Sequence, residues 1–327
     1  MKAAPPVSND SEKSVNRQAE SPELAALDAK VNALLPPRYQ YCFEAVNPKS
    51  MGSAALKYDP EARVAWDQIW THFCDLALAG GPPHRGTLLE TPTPNEVEAE
   101  PAGYQLVCDE IVRGIRMTSG LVAKAGPEPG WVTVECHSLV MAEWLLRAVM
   151  AENVFARRRD HSLQVPAGPT FRLVKEVKNI VVALAKTGHY WKDHLSEEQR
   201  SQAENLFAAA TTATLLEPPC RPEVLKRVAE YHDMTQRLGQ ALFDAVGLPV
   251  VKSVASGWIG IRLQDERMAA WFVRSAIAEN ILARREQAVL FLPVPLTNQL
   301  DMEEIVERMV RLLRIWTSLP RSEHAQI

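Results

Sequence analysis

Between residues 139 and 152 apolar positions recur at helical spacing. Met141, Trp144, Leu145 and Ala148 form one stripe, and Met268, Trp271, Phe272 and Ser275 repeat it later in the chain. Each stripe follows a short apolar run that suits a strand, Trp131 to Glu135 and Trp258 to Arg262, with Ser138 or Asp265 placed to cap the helix. Each helix is predicted to stop at Asn153 or Asn280, residues that tolerate the left-handed conformation at a helix end. Val154 to Arg159, a polar turn at Asp160-His161, then Leu163 to Pro166 predict a β-hairpin, as do Ile281 to Arg285 and Val289 to Leu292. Flanking helices are predicted at about Leu106 to Lys124 and Leu173 to Lys186, and again at Val228 to Val246 and Met302 to Trp316. The predicted class is α/β (α+β), built from αβαββα units whose small sheets carry helices on one face.

Residues 130–166 align without a gap on 257–293. Gly130, Trp131, Met141, Ala142, Trp144, Arg147, Ala151, Glu152, Asn153, Ala156, Arg157, Arg158, Leu163 and Pro166 each meet the same residue 127 positions on. That is 14 identities in 37 positions, where ordinary residue usage gives roughly two. The chain therefore reads as one unit carried twice. The expected organisation is a disordered tail over 1–21, a mainly helical N-terminal region with a Gly/Pro loop and linker over 22–101, a first repeat over 102–195, a connector over 196–225 and a second repeat over 226–327. In the N-terminal region, helices are expected from Pro22 to Leu35 and along the stripe Trp66, Ile69, Trp70, Phe73 and Ala77. Alternating Tyr39, Tyr41 and Phe43 suggest an extended segment between them.

The stretches Asn153-Val154-Phe155-Ala156-Arg157 and Asn280-Ile281-Leu282-Ala283-Arg284 resemble the "Gly-Val-x-x-Arg" strand in the small C-terminal domain of the aminotransferases that use pyridoxal phosphate. The resemblance covers about 90 residues per copy and implies a fold of that kind or a ferredoxin-like one, not a function. The large cofactor domain of that family, with its Schiff-base lysine, has no counterpart here, so the cofactor is left unknown.

Composition narrows the function classes. With 46% hydrophobic and 23% charged residues the chain can bury more than one core, and a net charge of −4 gives no electrostatic reason to expect nucleic acid or an acidic membrane as partner. Five scattered cysteines without a CxxC pair argue against a disulfide framework or a thiolate metal cage, and suggest a reducing, cytoplasmic setting. The longest apolar runs are too short to span a bilayer.

What both copies keep is read first as mechanics. Glu152 and Glu279 fall on the core-facing stripe in the last helical turn, where burial and the helix dipole both disfavour a carboxylate, so each needs a cation. Arg158 and Arg285 are the expected clamp partners. Arg157 and Arg284, on the opposite face of the hairpin, are candidates for an anionic ligand between the copies.

Chemistry is sought where the copies differ. Cys136 and His137, at the strand-to-helix junction of the first copy only, could act as nucleophile and acid-base group, alongside His84. His84 and Arg85 lie in the loop Gly80-Gly81-Pro82-Pro83-His84-Arg85-Gly86-Thr87, where Arg85 could bind an anion. His189 could line a cleft, but His189 and His194 are five apart, without the i, i+4 spacing of a helical metal pair, and no metal is expected. The leading expectation is a cytoplasmic binding or accessory protein with a protein partner, a second copy of itself or a small anionic ligand between its repeats. The alternative is an enzyme acting on a carboxylate- or phosphate-bearing substrate in a cleft between the first repeat and loop 80–87.

Overall fold

The computed structural model describes residues 21–35, 56–69, 84, 87–209, 215–296 and 298–319. Residues 1–20 of the tail expected over 1–21, the extended segment at Tyr39 to Phe43, the stripe beyond Ile69 and Arg85 lie outside those residues, as does most of loop 80–87.

Mixed helix and sheet are present as expected. Ten α-helices are described: α1 (Pro22–Leu34), α2 (Pro94–Ala99), α3 (Pro101–Ser119), α4 (Leu139–Ala151), α5 (Lys178–His189), α6 (Glu197–Ala209), α7 (Arg221–Lys226), α8 (Val228–Val246), α9 (Glu266–Ala278) and α10 (Gln299–Ser318). They accompany two four-stranded antiparallel sheets. Strands β1 (Ala123–Ala125), β2 (Trp131–Glu135), β3 (Arg157–Arg159) and β4 (Ser162–Pro166) lie in the order β1-β2-β4-β3. Strands β5 (Val250–Lys252), β6 (Trp258–Arg262), β7 (Arg284–Glu286) and β8 (Val289–Pro293) lie in the order β5-β6-β8-β7. Register is the same in both sheets: Trp131 faces Pro166 as Trp258 faces Pro293, and Arg158 faces Leu163 as Arg285 faces Leu290.

Local chemistry accounts for these elements. Ser138 accepts the Met141 N–H at 3.1 Å and Asp265 accepts that of Met268 at 2.8 Å, so both helices start at the expected caps. Both end where an asparagine turns left-handed, Asn153 at φ 60° and Asn280 at φ 58°. The hairpin turns use Asp160 and Gln287, each at φ 51°.

Two expectations need correction. Each sheet has one strand more than the order αβαββα supplies, because Gly120 and Gly247 end α3 and α8 in the left-handed conformation and release β1 and β5 as edge strands. The predicted helix to Lys124 ran past the first of these stops. Thr91 to Pro101 is also not a linker. Thr93 accepts the Glu96 N–H while Glu96 accepts that of Thr93, a reciprocal cap that starts α2. Cys220 and Glu223 form the same arrangement at α7, and the isolated bridges Leu89–Val154 and Leu216–Ile281 tie both segments to the stretches that lead into β3 and β7.

The apolar faces close over two cores. Trp66, Ile111, Val132, Trp144, Ile180 and Leu184 belong to the first, which also receives Trp258, Leu282 and Phe291 from the second sheet region. Leu238, Phe272, Ile305, Met309 and Leu312 belong to the second, and α1 adds Leu27, Val31 and Leu34 to it. Polar bonds stitch the halves: Asn153 Nδ2 donates to the Arg285 carbonyl at 3.0 Å, and Arg147 Nη2 donates to Asn280 Oδ1 at 3.1 Å. No helix among the described residues is long and apolar enough to cross a membrane.

Candidate functional site

Glu152 and Glu279 do have cations, but not the expected arginines. Glu152 is fully buried and pairs with Lys186 of α5 at 2.8 Å. Burial pushes its carboxyl up to about 7, with Lys186 pulling the other way. Glu279 pairs with Lys30 of α1 at 2.9 Å and with Arg311 of α10. Arg158 instead meets Glu143 at 2.5 Å and Arg285 lies 3.6 Å from Glu266. The reason is direction. Each glutamate sits at the C-cap of its helix and is turned into the core, towards the closing helix, whereas the strand arginines emerge beside Glu143 and Glu266, nearer the starts of α4 and α9.

Arg157 and Arg284 are on the opposite face of the hairpin, as alternation requires, yet that face is covered. The Arg157 guanidinium lies 3.9 Å from the Trp131 ring centroid, with Nε donating to Gln164 at 2.7 Å and Nη2 to Glu128 at 2.6 Å. Arg284 is 0% exposed, 4.2 Å from the Phe291 ring centroid and paired with Glu286 at 2.5 Å. Arg157 is thus engaged within its own sheet region, whereas the buried Arg284 uses Nη1 on Glu286 and its Nε and Nη2 make no hydrogen bond to a described residue.

The candidate catalytic groups are dispersed. His84 is buried, with Nδ1 3.1 Å from Asn179 Nδ2 and its carbonyl accepting from Asn153 Nδ2 at 3.1 Å; burial holds its pKa below the usual histidine range. His137 is exposed. Among the described residues no hydrogen bond joins His84 to Cys136 or His137. Burial pushes the Cys136 thiol up to about 11, opposite to what a thiolate nucleophile needs. Iodoacetamide should therefore alkylate Cys136 at pH 7 more slowly than free cysteine, measured by peptide mass spectrometry. Faster alkylation would restore its nucleophilic candidacy.

A cleft collects polar side chains at the seam between the halves. About 230 Å³ in volume, it is lined by Glu90, Thr91, Glu96 and Glu100, by Arg221 from α7, and by Phe171 with neighbouring prolines. Glu96 is committed to Arg221, which donates to it at 3.0 and 3.1 Å. Glu90 is held more loosely, accepting the Ser256 N–H at 3.3 Å and lying 4.0 Å from Arg221, and burial pushes its pKa up. Thr91 is 1% exposed, and its hydroxyl makes no hydrogen bond to a described residue. The Pro/Glu-rich composition of 91–101 hides this set, because it suggests a linker and not a capped helix. The signal was Leu88-Leu89-Glu90-x-Pro92, which recurs as Leu215-Leu216-Glu217-x-Pro219 at the same 127-residue offset.

A second polar group stands at the end of α5. His189 Nδ1 is 2.7 Å from Asp193 Oδ2, and His194 Nε2 is 3.0 Å from His189 Nε2. The chain there leaves α-helical geometry for a π-turn over Tyr190–His194, closed by the Leu195 N–H on the Tyr190 carbonyl at 3.0 Å. Widening the turn brings residues five apart onto one face, which the i, i+4 criterion could not anticipate. Among the described residues no three His, Cys, Asp or Glu side chains group as metal ligands. No protein-family model, curated protein or solved structure matches the chain.

Proposed function

We propose that the chain is a tandem duplication of a ferredoxin-like unit and that it works as a binding protein, taking a positively charged group in the cleft where the two halves meet. The common strand order, register, caps and left-handed asparagines, each displaced by 127 residues, support the duplication. In each unit the run β2-α4-β3-β4 or β6-α9-β7-β8 is the βαββ part of a ferredoxin-like arrangement, completed by an edge strand from the N-terminal side. On this reading the units span about 88–194 and 215–318, wider than the sequence alignment alone indicates.

The single observation that carries the binding role is the lining of the seam cleft. Three glutamates face one arginine already engaged by Glu96, so the expected ligand is cationic and not the anion that Arg157 and Arg284 suggested. Phe171 adds an aromatic surface suited to a guanidinium or ammonium, and the Thr91 hydroxyl offers a buried hydrogen-bond partner. A volume of about 230 Å³ is below the 300 Å³ or more of drug-sized sites and suits an amino-acid-sized group on a short stem.

Calorimetric titration with agmatine, with a short arginine-containing peptide and with citrate as the anionic control tests this. Saturable 1:1 binding of agmatine or peptide with Kd about 1 mM or tighter, weakened by salt, is the expected result. Tighter binding of agmatine points to a free small amine, and tighter binding of the peptide to a side chain of a protein partner. No saturable binding of either, or equal binding of citrate, would overturn the proposal.

A further inference from the structure

The histidine pair that closes α5 lies outside the seam cleft and is not explained by it. Asp193 is a carboxylate and can only accept, so at 2.7 Å it fixes the proton of His189 on Nδ1 and leaves the Nε2 lone pair outward. That is the carboxylate-histidine arrangement that orients metal-ligating imidazoles. His194 Nε2 stands 3.0 Å from that lone pair, with the two rings steeply inclined at 83° and their centroids 4.7 Å apart.

These distances can be compared with a chelate. For an ion about 2.05 Å from both nitrogens, a separation of 3.0 Å corresponds to an angle of about 94° at the ion. Two rings that both point at such an ion would have centroids about 4.7 Å apart, which is the separation found. A linear N–H···N bond of the same length would place them further apart, at about 5.3 Å. An angle near 90° suits octahedral or square-planar coordination better than the tetrahedral geometry of structural zinc.

The support beneath the pair is rigid. Tyr190 is buried and its ring lies against that of His194, Trp191 packs on Trp144, and Arg200 ties down the carbonyls of Trp191 and Lys192 at 2.7 and 2.9 Å. His189 and Asp193 remain open to solvent, so an ion has access and can complete its shell with water.

We propose that His189 and His194 chelate one divalent late first-row transition ion, Ni²⁺ or Cu²⁺ by geometry, with Asp193 as the positioning carboxylate behind His189. On binding, His194 exchanges its Nε2 proton for one on Nδ1 by way of solvent, so that both imidazoles stay neutral and both Nε2 lone pairs turn to the ion.

The test is calorimetric titration of the untagged 327-residue chain with Ni²⁺, beside the His189→Gln, His194→Gln and Asp193→Asn variants. Asp193 and His194 are exposed and His189 is half-buried, and circular dichroism verifies that each variant folds. Expected are one Ni²⁺ per chain, a loss of at least tenfold in affinity on removing either histidine, and a weakening of about tenfold or more for Asp193→Asn. A Cu²⁺ electron paramagnetic resonance spectrum should show coupling to two nitrogens in the intact chain and one in either histidine variant. Absent Ni²⁺ binding, or binding unchanged when His189 or His194 is replaced, would overturn the proposal and leave the pair as a hydrogen-bonded helix end.

Discussion

Lys186→Met is expected to lower stability by about 3–5 kcal/mol at neutral pH, measured as a shift in the urea midpoint. The variant leaves Glu152, fully buried, without the ammonium that stands 2.8 Å away. Removing one partner of a buried pair costs far more than removing both, because the surviving charge has neither solvent nor counterion. The double variant Lys186→Met with Glu152→Leu should therefore recover most of the loss.

The pH dependence of that variant follows from the direction of the carboxyl shift. Burial raises the folded-state value of Glu152 from 4.5 to about 7, so its contribution to stability is fully present below 4.5 and is lost as pH rises through about 7. Without Lys186 the carboxyl rises further, and the gap between variant and wild type should narrow as pH falls from about 8 to about 5. A neutral Lys186→Met beside a strongly destabilising Arg158→Met would instead favour the arginine clamp that spacing suggested.

Gly257→Ala is expected to cost about 3–5 kcal/mol, and Gly130→Ala only about 1–2 kcal/mol. The two glycines hold the same place before β2 and β6, at φ 92° for Gly130 and φ 84° for Gly257, so both substitutions incur backbone strain. Their surroundings differ. A Cβ on Gly257 would stand 2.4 Å from the Pro219 carbonyl oxygen, which belongs to the backbone and cannot swing away, whereas at Gly130 the nearest atom, the Pro92 oxygen, is at 3.3 Å. Urea unfolding of the two variants measures the difference. Equal losses would mean that the segment before α7 gives way as readily as the one before α2.

Features whose cause is local were legible in the sequence. The caps at Ser138 and Asp265, the left-handed Asn153 and Asn280, and the hairpins after them each depend on a few adjacent residues. The helix Val228–Val246 was read to its residue limits for the same reason. The three-residue edge strands were not legible, because Ala123-Lys124-Ala125 has little strand preference of its own and is placed by pairing with β2. Lys186 lies 34 residues beyond Glu152 and only folding brings them together, although a lone lysine among Ile180, Val181, Ala183 and Leu184 was a usable sign of a buried charge. Arg157 and Arg284 show another limit. Alternation gives the face a strand residue occupies but not what covers that face, here Trp131, Trp258 and Phe291.

Burial raises the Glu90 pKa against the weaker pull of Arg221 and the Ser256 N–H, so Glu90→Gln should change the melting temperature little, while Glu90→Gln and Glu100→Gln together remove the two lining carboxylates that Arg221 does not hold closely. The most direct measurement is agmatine affinity of the Glu90→Gln, Glu100→Gln double variant beside the wild type, by calorimetry at low salt. A loss of at least tenfold with an unchanged circular dichroism spectrum is predicted. Agmatine affinity equal to that of the wild type would contradict a cation-binding role for the seam.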